Sequence, residues 1–166
     1  MLGSNCGAAM DWAVGTVWLV PLYGWLGALL TLPWSLGWVR RSGQRPAAYI
    51  NLFMTFVGLV HSAILLWALA ERVPQTLAIP WVRLGDWDLS LALEVSAVSA
   101  GASLLIAVIS LCAQTYGLAS MDTDWSLARF YALVGFFEGA LSGVALSDSL
   151  LLSYGLLELL TVSTYL

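Results

Sequence analysis

The sequence predicts an all-α membrane protein of about five transmembrane helices, with a small extramembrane hairpin between helices two and three. Three observations carry that reading. Hydrophobic residues fill 60% of the 166 positions and charged residues only 10%, whereas a soluble domain keeps roughly a quarter of its residues charged. Five apolar stretches each approach the roughly 20 residues that an α-helix needs to cross a hydrocarbon core. None of them alternates over about ten residues as a strand of a membrane barrel does. Backbone in lipid must close its own hydrogen bonds, and that makes these stretches helices.

The first stretch covers 12–34, with Pro21 and Pro33 near its ends and Trp12, Trp34 and Trp38 as interface anchors. The second, 47–70, carries His61. The third, 95–116, opens with VSAVSAGAS, a run of small residues that favours close helix approach. The fourth, 130–146, contains Glu138. The fifth, 150–166, contains Glu158 and is still apolar at Leu166, as expected of a piece of a longer protein. The whole chain, 1–166, thus reads as a single transmembrane domain. Between the second and third stretches lies LAIPWVRLGDWDLSL, where Gly85 and Asp86 supply a turn between two strand-like runs.

Arginine placement gives an orientation. The loop after the first span carries Arg40, Arg41 and Arg45, and Arg129 flanks the fourth span on the same side, whereas Arg72 and Arg83 lie on the other, offset by Glu71, Asp86 and Asp88. The positive-inside rule then places the Arg40–Arg45 loop in the cytoplasm and the N-terminus outside. These three arginines read as topology determinants, with docking of a peripheral protein as the alternative.

Several classes are disfavoured. Six arginines and no lysine do not make the dense basic face that nucleic-acid binding requires. Cys6 and Cys112 suggest neither a disulfide nor a metal site. The N-terminus lacks the basic segment of a cleavable signal peptide. No phosphate loop, nucleophile triad or metal-spaced cluster appears, so the sequence gives no catalytic, cofactor-binding or metal residues.

Function is sought in ionisable groups within the spans, since a charge at mid-bilayer costs about 2.5–3.5 kcal/mol on insertion scales. Glu158, among Leu156, Leu157, Leu159 and Leu160, is the first candidate for a proton relay, set against a purely packing role. Glu138, in FFEGALSG beside small residues, is the second. His61 is the third, with a satisfied structural histidine as the plainer reading. Asp148, in the LSDS turn, reads as a helix cap first and a relay second.

The run RFYALVGFFEGALSGVALSDSLLLSYGLLELLTVSTYL resembles helices four and five of the large antiporter-like chain 5 of complex I. The pattern R-F-F-x-Y, L-S-D-N-L and W-E-L-x-G-x-x-S-Y-L is met by Arg129, Phe130, Leu146, Ser147, Asp148, Leu150, Glu158, Leu159, Ser163 or Thr164, Tyr165 and Leu166. In that family the fifth-helix glutamate pairs with a lysine of a later helix, and Glu158 falls on its position. Upstream, TLPW, RRSGQRPAAY and LALEVSAVSAGAS resemble the cyanobacterial F-type chains of the carbon-dioxide-uptake forms. Leu157 replaces the usual tryptophan, and Glu94-Val95 replaces an Asp-Pro opening the third helix.

The resemblance implies the N-terminal part of a membrane-arm subunit of photosynthetic complex I, a ferredoxin/NAD(P)H-plastoquinone oxidoreductase. It would take part in proton translocation coupled to electron transfer, as a cofactor-free subunit that is not an enzyme alone. The complex is expected to use iron–sulfur clusters and plastoquinone. Implied partners are the other membrane-arm subunits, a peripheral carbonic-anhydrase-like protein and lipid, with no nucleic acid. The implied location is the cyanobacterial thylakoid membrane, with the N-terminus lumenal. The lysines of later helices are not in this chain, so it does not hold a complete proton path. The competing readings are a fragment of a stand-alone cation/proton antiporter and a structural bundle that seals a complex.

Overall fold

The computed structural model describes Trp12 and residues 15–38, 45–70, 73–84, 87–121 and 126–165. Its elements follow in the order α1 (Leu19–Ser35), α2 (Arg45–Leu69), β1 (Gln75–Leu84), β2 (Trp87–Val95), α3 (Ala97–Ser120), α4 (Leu127–Leu146) and α5 (Leu150–Tyr165). The helical membrane architecture predicted from the sequence is borne out, hairpin included. By length and composition, α2, α3 and α4 suffice to cross a membrane. The described parts of α1 and α5 are shorter, at 17 and 16 residues.

Trp12 and Gly15 are helical, and the helix that runs on from Leu19 follows a turn. Residues 16–18 form a turn, and the Leu19 and Val20 amides donate to the carbonyls of Thr16 and Val17 at 2.9 and 3.1 Å. Pro21 accounts for this, because it has no N–H to return to Val17 and interrupts the four-residue ladder. At the other end, Gly37 adopts φ 74°, its amide donates to Trp34 O at 3.1 Å and that of Trp38 to Pro33 O at 3.0 Å. A left-handed glycine with this bond pair satisfies the last carbonyls and stops the helix.

β1 and β2 pair antiparallel from Gln75 opposite Val95 to Leu84 opposite Trp87, with an irregularity between Pro80 and Val82 that leaves Trp81 unopposed. The Gly85-Asp86 turn expected from the sequence falls outside the described residues. The hairpin is tied to the bundle at the α4–α5 connection, where the Asp148 amide donates to Ala92 O at 2.9 Å and Leu93 bridges Ser147. Leu77 and Leu93 pack on a buried cluster that includes Val20, Leu65, Leu69, Val95, Ala100 and Leu146. α3 starts immediately afterwards with a reciprocal cap, Ser99 N to Ser96 Oγ at 3.2 Å and Ser96 N to Ser99 Oγ at 3.0 Å.

The opposite end of the bundle is closed by a second cluster, Ala48, Leu127 and Tyr131. α4 therefore runs from one apolar cluster to the other, and Glu138 lies near its middle. α1 crosses α4 at glycines. A Cβ on Gly24 would stand 2.5 Å from Gly139 N, and one on Gly139 would stand 2.8 Å from Pro21 O. Backbones this close exclude side chains at the crossing, as small residues allow in helix pairs within lipid.

Candidate functional site

Polar residues at four-residue spacing share a helix face. Asn51 and Thr55 do so on α2, and Ser110 and Gln114 on α3. α4 brings Glu138 against both pairs. Thr55 Oγ1 and Ser110 Oγ each donate to Glu138 Oε2 at 2.7 Å, and Gln114 Nε2 approaches the same oxygen at 3.3 Å. Gln114 Nε2 also donates to Thr55 Oγ1 at 2.7 Å and to Ser110 Oγ at 3.1 Å. Glu138 is 5% exposed, and Thr55 and Gln114 are fully enclosed. The interactions of Glu138 among the described residues include no charged partner.

The surroundings hold these donors in place. Tyr131 OH donates to the main-chain carbonyl of Gln114, and Asn51 Nδ2 donates to that of Tyr131, so α2, α3 and α4 are pinned close to the carboxylate. Gly135 makes room for Asn51, since a Cβ there would lie 2.7 Å from Asn51 Nδ2. Among the described residues, Asn51 Oδ1 and Gln114 Oε1 are buried without a partner.

Chemically this is a carboxylate in an apolar bundle, met by neutral donors from two other helices. Donors aimed at one oxygen favour the ionised form, and burial favours the neutral acid. Opposed influences of that kind let a group gain and lose a proton as its surroundings change.

The other candidates stand apart from this cluster. Glu158 lies on the exposed face of α5, and the Tyr154 side chain one turn earlier interacts with it. The inward face of α5 belongs to Leu156 and Ser163, and two residues of helix turn Glu158 about 200° from Leu156. His61 is 5% exposed in a group of its own, Nε2 at 3.1 Å from Thr16 Oγ1 and Nδ1 at 3.2 Å from Tyr23 OH. Trp12 stacks on the imidazole at 5.9 Å, and a groove of about 330 Å³ opens beside it. Asp148 is exposed, and its described bond is made by its main-chain amide. Arg45 opens α2, exposed and with interactions of its own. Arg40 and Arg41 lie outside the described residues. Sequence reasoning misses Thr55, Ser110 and Gln114; the signal that marks them is hydroxyl and amide residues recurring every four positions inside apolar spans.

The profile of NADH-Ubiquinone oxidoreductase (complex I), chain 5 N-terminus, matches residues 81–131. The NAD(P)H-quinone oxidoreductase subunit 5, organellar chromatophore 2, of Paulinella chromatophora is 46% identical over 151 residues, 90% of this chain and 24% of the relative. The chain is related to the N-terminal part of the antiporter-like chain 5 subunits of complex I. The chromatophore 1 subunit 5 of the same organism is 26% identical over 157 residues, 93% of this chain and 24% of that relative. A putative antiporter subunit of Staphylococcus aureus is 28% identical over 128 residues, 76% of this chain and 16% of that relative. The chain spans about a quarter of the length of the subunit 5 relatives it matches. A solved structure of the membrane-bound sulfane sulfur reductase, an archaeal respiratory membrane complex, superposes with a TM-score of 0.52 at 22% identity, covering 89% of this chain and 22% of that one. That likeness supports the fold alone. Within the chain 5 frame, Arg129 lies in the first turn of α4 and Asp148 follows its end, with Glu138 between them.

Proposed function

We propose that this chain is the N-terminal part of a membrane-arm subunit of a photosynthetic complex I, in which it takes part in moving protons as quinone is reduced. The observation that carries the proposal is Glu138, enclosed near the middle of α4 with donors from α2 and α3 on one oxygen. An intramembrane carboxylate held in this manner suits a proton-loading step. Glu158 is the second station. Its exposed position on α5 leaves it free to meet a basic residue of a helix beyond this chain. His61 is a further candidate station, reached through the Thr16 and Tyr23 hydroxyls. Electron transfer, with iron–sulfur clusters and plastoquinone, belongs to other subunits of the assembly.

Within that family we assign the chain to the carbon-dioxide-uptake form. One organism holds two subunit 5 relatives, and this chain is 46% identical to one and 26% to the other, which favours a distinct subgroup. The segments RRSGQRPAAY and LALEVSAVSAGAS are the ones that resemble the uptake chains. A carbonic-anhydrase-like partner would then sit on the assembly, in a thylakoid membrane. Two measurements on cells carrying Glu138→Gln test both parts. Uptake at limiting carbon dioxide is expected to fall to the level of a strain lacking the subunit while the assembly still forms on native gels. Unchanged uptake with a normal assembly would remove Glu138 from the mechanism. An assembly purified without any carbonic-anhydrase-like protein would remove the uptake assignment. The relationship to an antiporter subunit favours one second reading, a cation/proton antiporter; such a protein would purify free of quinone oxidoreductase subunits.

A further inference from the structure

Resting on the reading of Glu138 as a loading group, the geometry points to Gln114 as the residue that lets the site hold a proton as comfortably as it holds a charge. With Glu138 ionised, hydrogen bonds run one way. The Gln114 amide donates to Thr55 Oγ1 and Ser110 Oγ, and both hydroxyls donate onward to Glu138 Oε2. A proton arriving on Oε2 becomes a donor in a place where only donors converge. One hydroxyl must then accept from the acid, and its own proton needs a new acceptor.

That acceptor is already in place. Gln114 Oε1 is buried with no partner among the described residues, on a side chain with no exposed surface. Turning the amide by half a revolution exchanges its oxygen and nitrogen, atoms of nearly equal size. Oε1 then takes the place of Nε2, within 2.7 Å of Thr55 Oγ1 and 3.1 Å of Ser110 Oγ. The hydroxyls rotate to donate to it, and the one that accepts from the acid completes a network whose direction has reversed. The proton on Oε2 is the only one gained; the hydroxyl and amide groups keep theirs.

Gln114 is thus a positioning residue whose amide reverses with each loading of Glu138. The titratable groups near this event are few among the described residues. Tyr131 on α4 is fixed to the Gln114 carbonyl, and His61 on α2 is engaged by Thr16 and Tyr23. A purely structural glutamine would also tie α3 to α2, so the test needs a signal that packing does not give.

The test is infrared difference spectroscopy of the purified assembly between acid and alkaline pH. A carboxylic acid band that disappears in Glu138→Gln identifies the loading group. The proposal expects a side-chain amide band of glutamine to change together with it and to be lost in Gln114→Leu and in Gln114→Met, which keeps the length of the side chain. If the acid band is present and no amide band is lost in either variant, the reversal is overturned while Glu138 loading stands. If no acid band depends on Glu138, the loading reading and the reversal fail together. Should both variants fail to assemble, side-chain 15N labelling of glutamine in the wild-type assembly decides the matter. The amide band must shift on labelling and follow the Glu138 titration, and an amide band insensitive to pH overturns the proposal.

Discussion

Thr55 and Ser110 do for Glu138 what water would do outside the membrane. Hydrogen bonds to a charged group contribute about 1.5–3 kcal/mol each, and leaving a buried polar atom unpaired costs a similar amount. Thr55→Val keeps the volume of the side chain and removes one donor to Oε2 and one acceptor from Gln114. The purified assembly is expected to lose about 1–3 kcal/mol of stability in this part of the bundle, read as a lower thermal transition; Thr55→Ser should stay near the wild type. At this scale the sequence is only partly legible. Glu138 and Glu158 are both glutamates among apolar residues, and hydropathy ranks Glu158 first because leucines surround it. What separates them is the face each presents. Glu138 stands in a face lined by Gly135, Gly139 and Ser142, which invites a neighbouring helix, whereas Glu158 shares the exposed face of α5 with Tyr154.

The helices themselves are legible from apolar run length, and the hairpin from a Gly-Asp turn between strand-like runs. The turn at residues 16–18 is less so, since hydropathy cannot feel a missing amide at Pro21. Helix pairing is least legible. In lipid both the inward and the outward faces of a helix are apolar, so periodicity does not point to the core, and close approach is marked only by small residues. The third span advertises itself with VSAVSAGAS, yet the backbone crossing falls at Gly24 against Gly139. Gly24→Val is expected to block assembly of the subunit, because even the first carbon would sit 2.5 Å from backbone, and overpacking of this kind typically costs about 1–3 kcal/mol or more. Gly155→Ala, with nothing within 4 Å, should assemble as the wild type does. Immunoblots of membrane fractions compare the two. At the start of α3, Ser96→Ala removes the reciprocal cap and should cost about 1 kcal/mol.

On the scale of the molecule, two apolar clusters close the ends of the bundle and leave a polar layer between them. The hairpin, docked through Ala92 and Leu93 on the α4–α5 connection, caps one end. We propose from the arginine placement that the Arg40–Arg45 loop faces the cytoplasm and the hairpin the other side. Single cysteines at Ser42 and at Thr76, in the exposed part of β1, are expected to react with an impermeant maleimide from opposite sides of sealed vesicles; labelling from one side would refute the topology.

The proposed relay is tested most directly by the number of protons moved per electron in the reconstituted assembly. With Glu138→Gln in place, electron transfer to quinone is expected to continue with fewer protons moved for each electron. A ratio equal to that of the wild type, in an assembly of normal composition, would contradict a relay through Glu138.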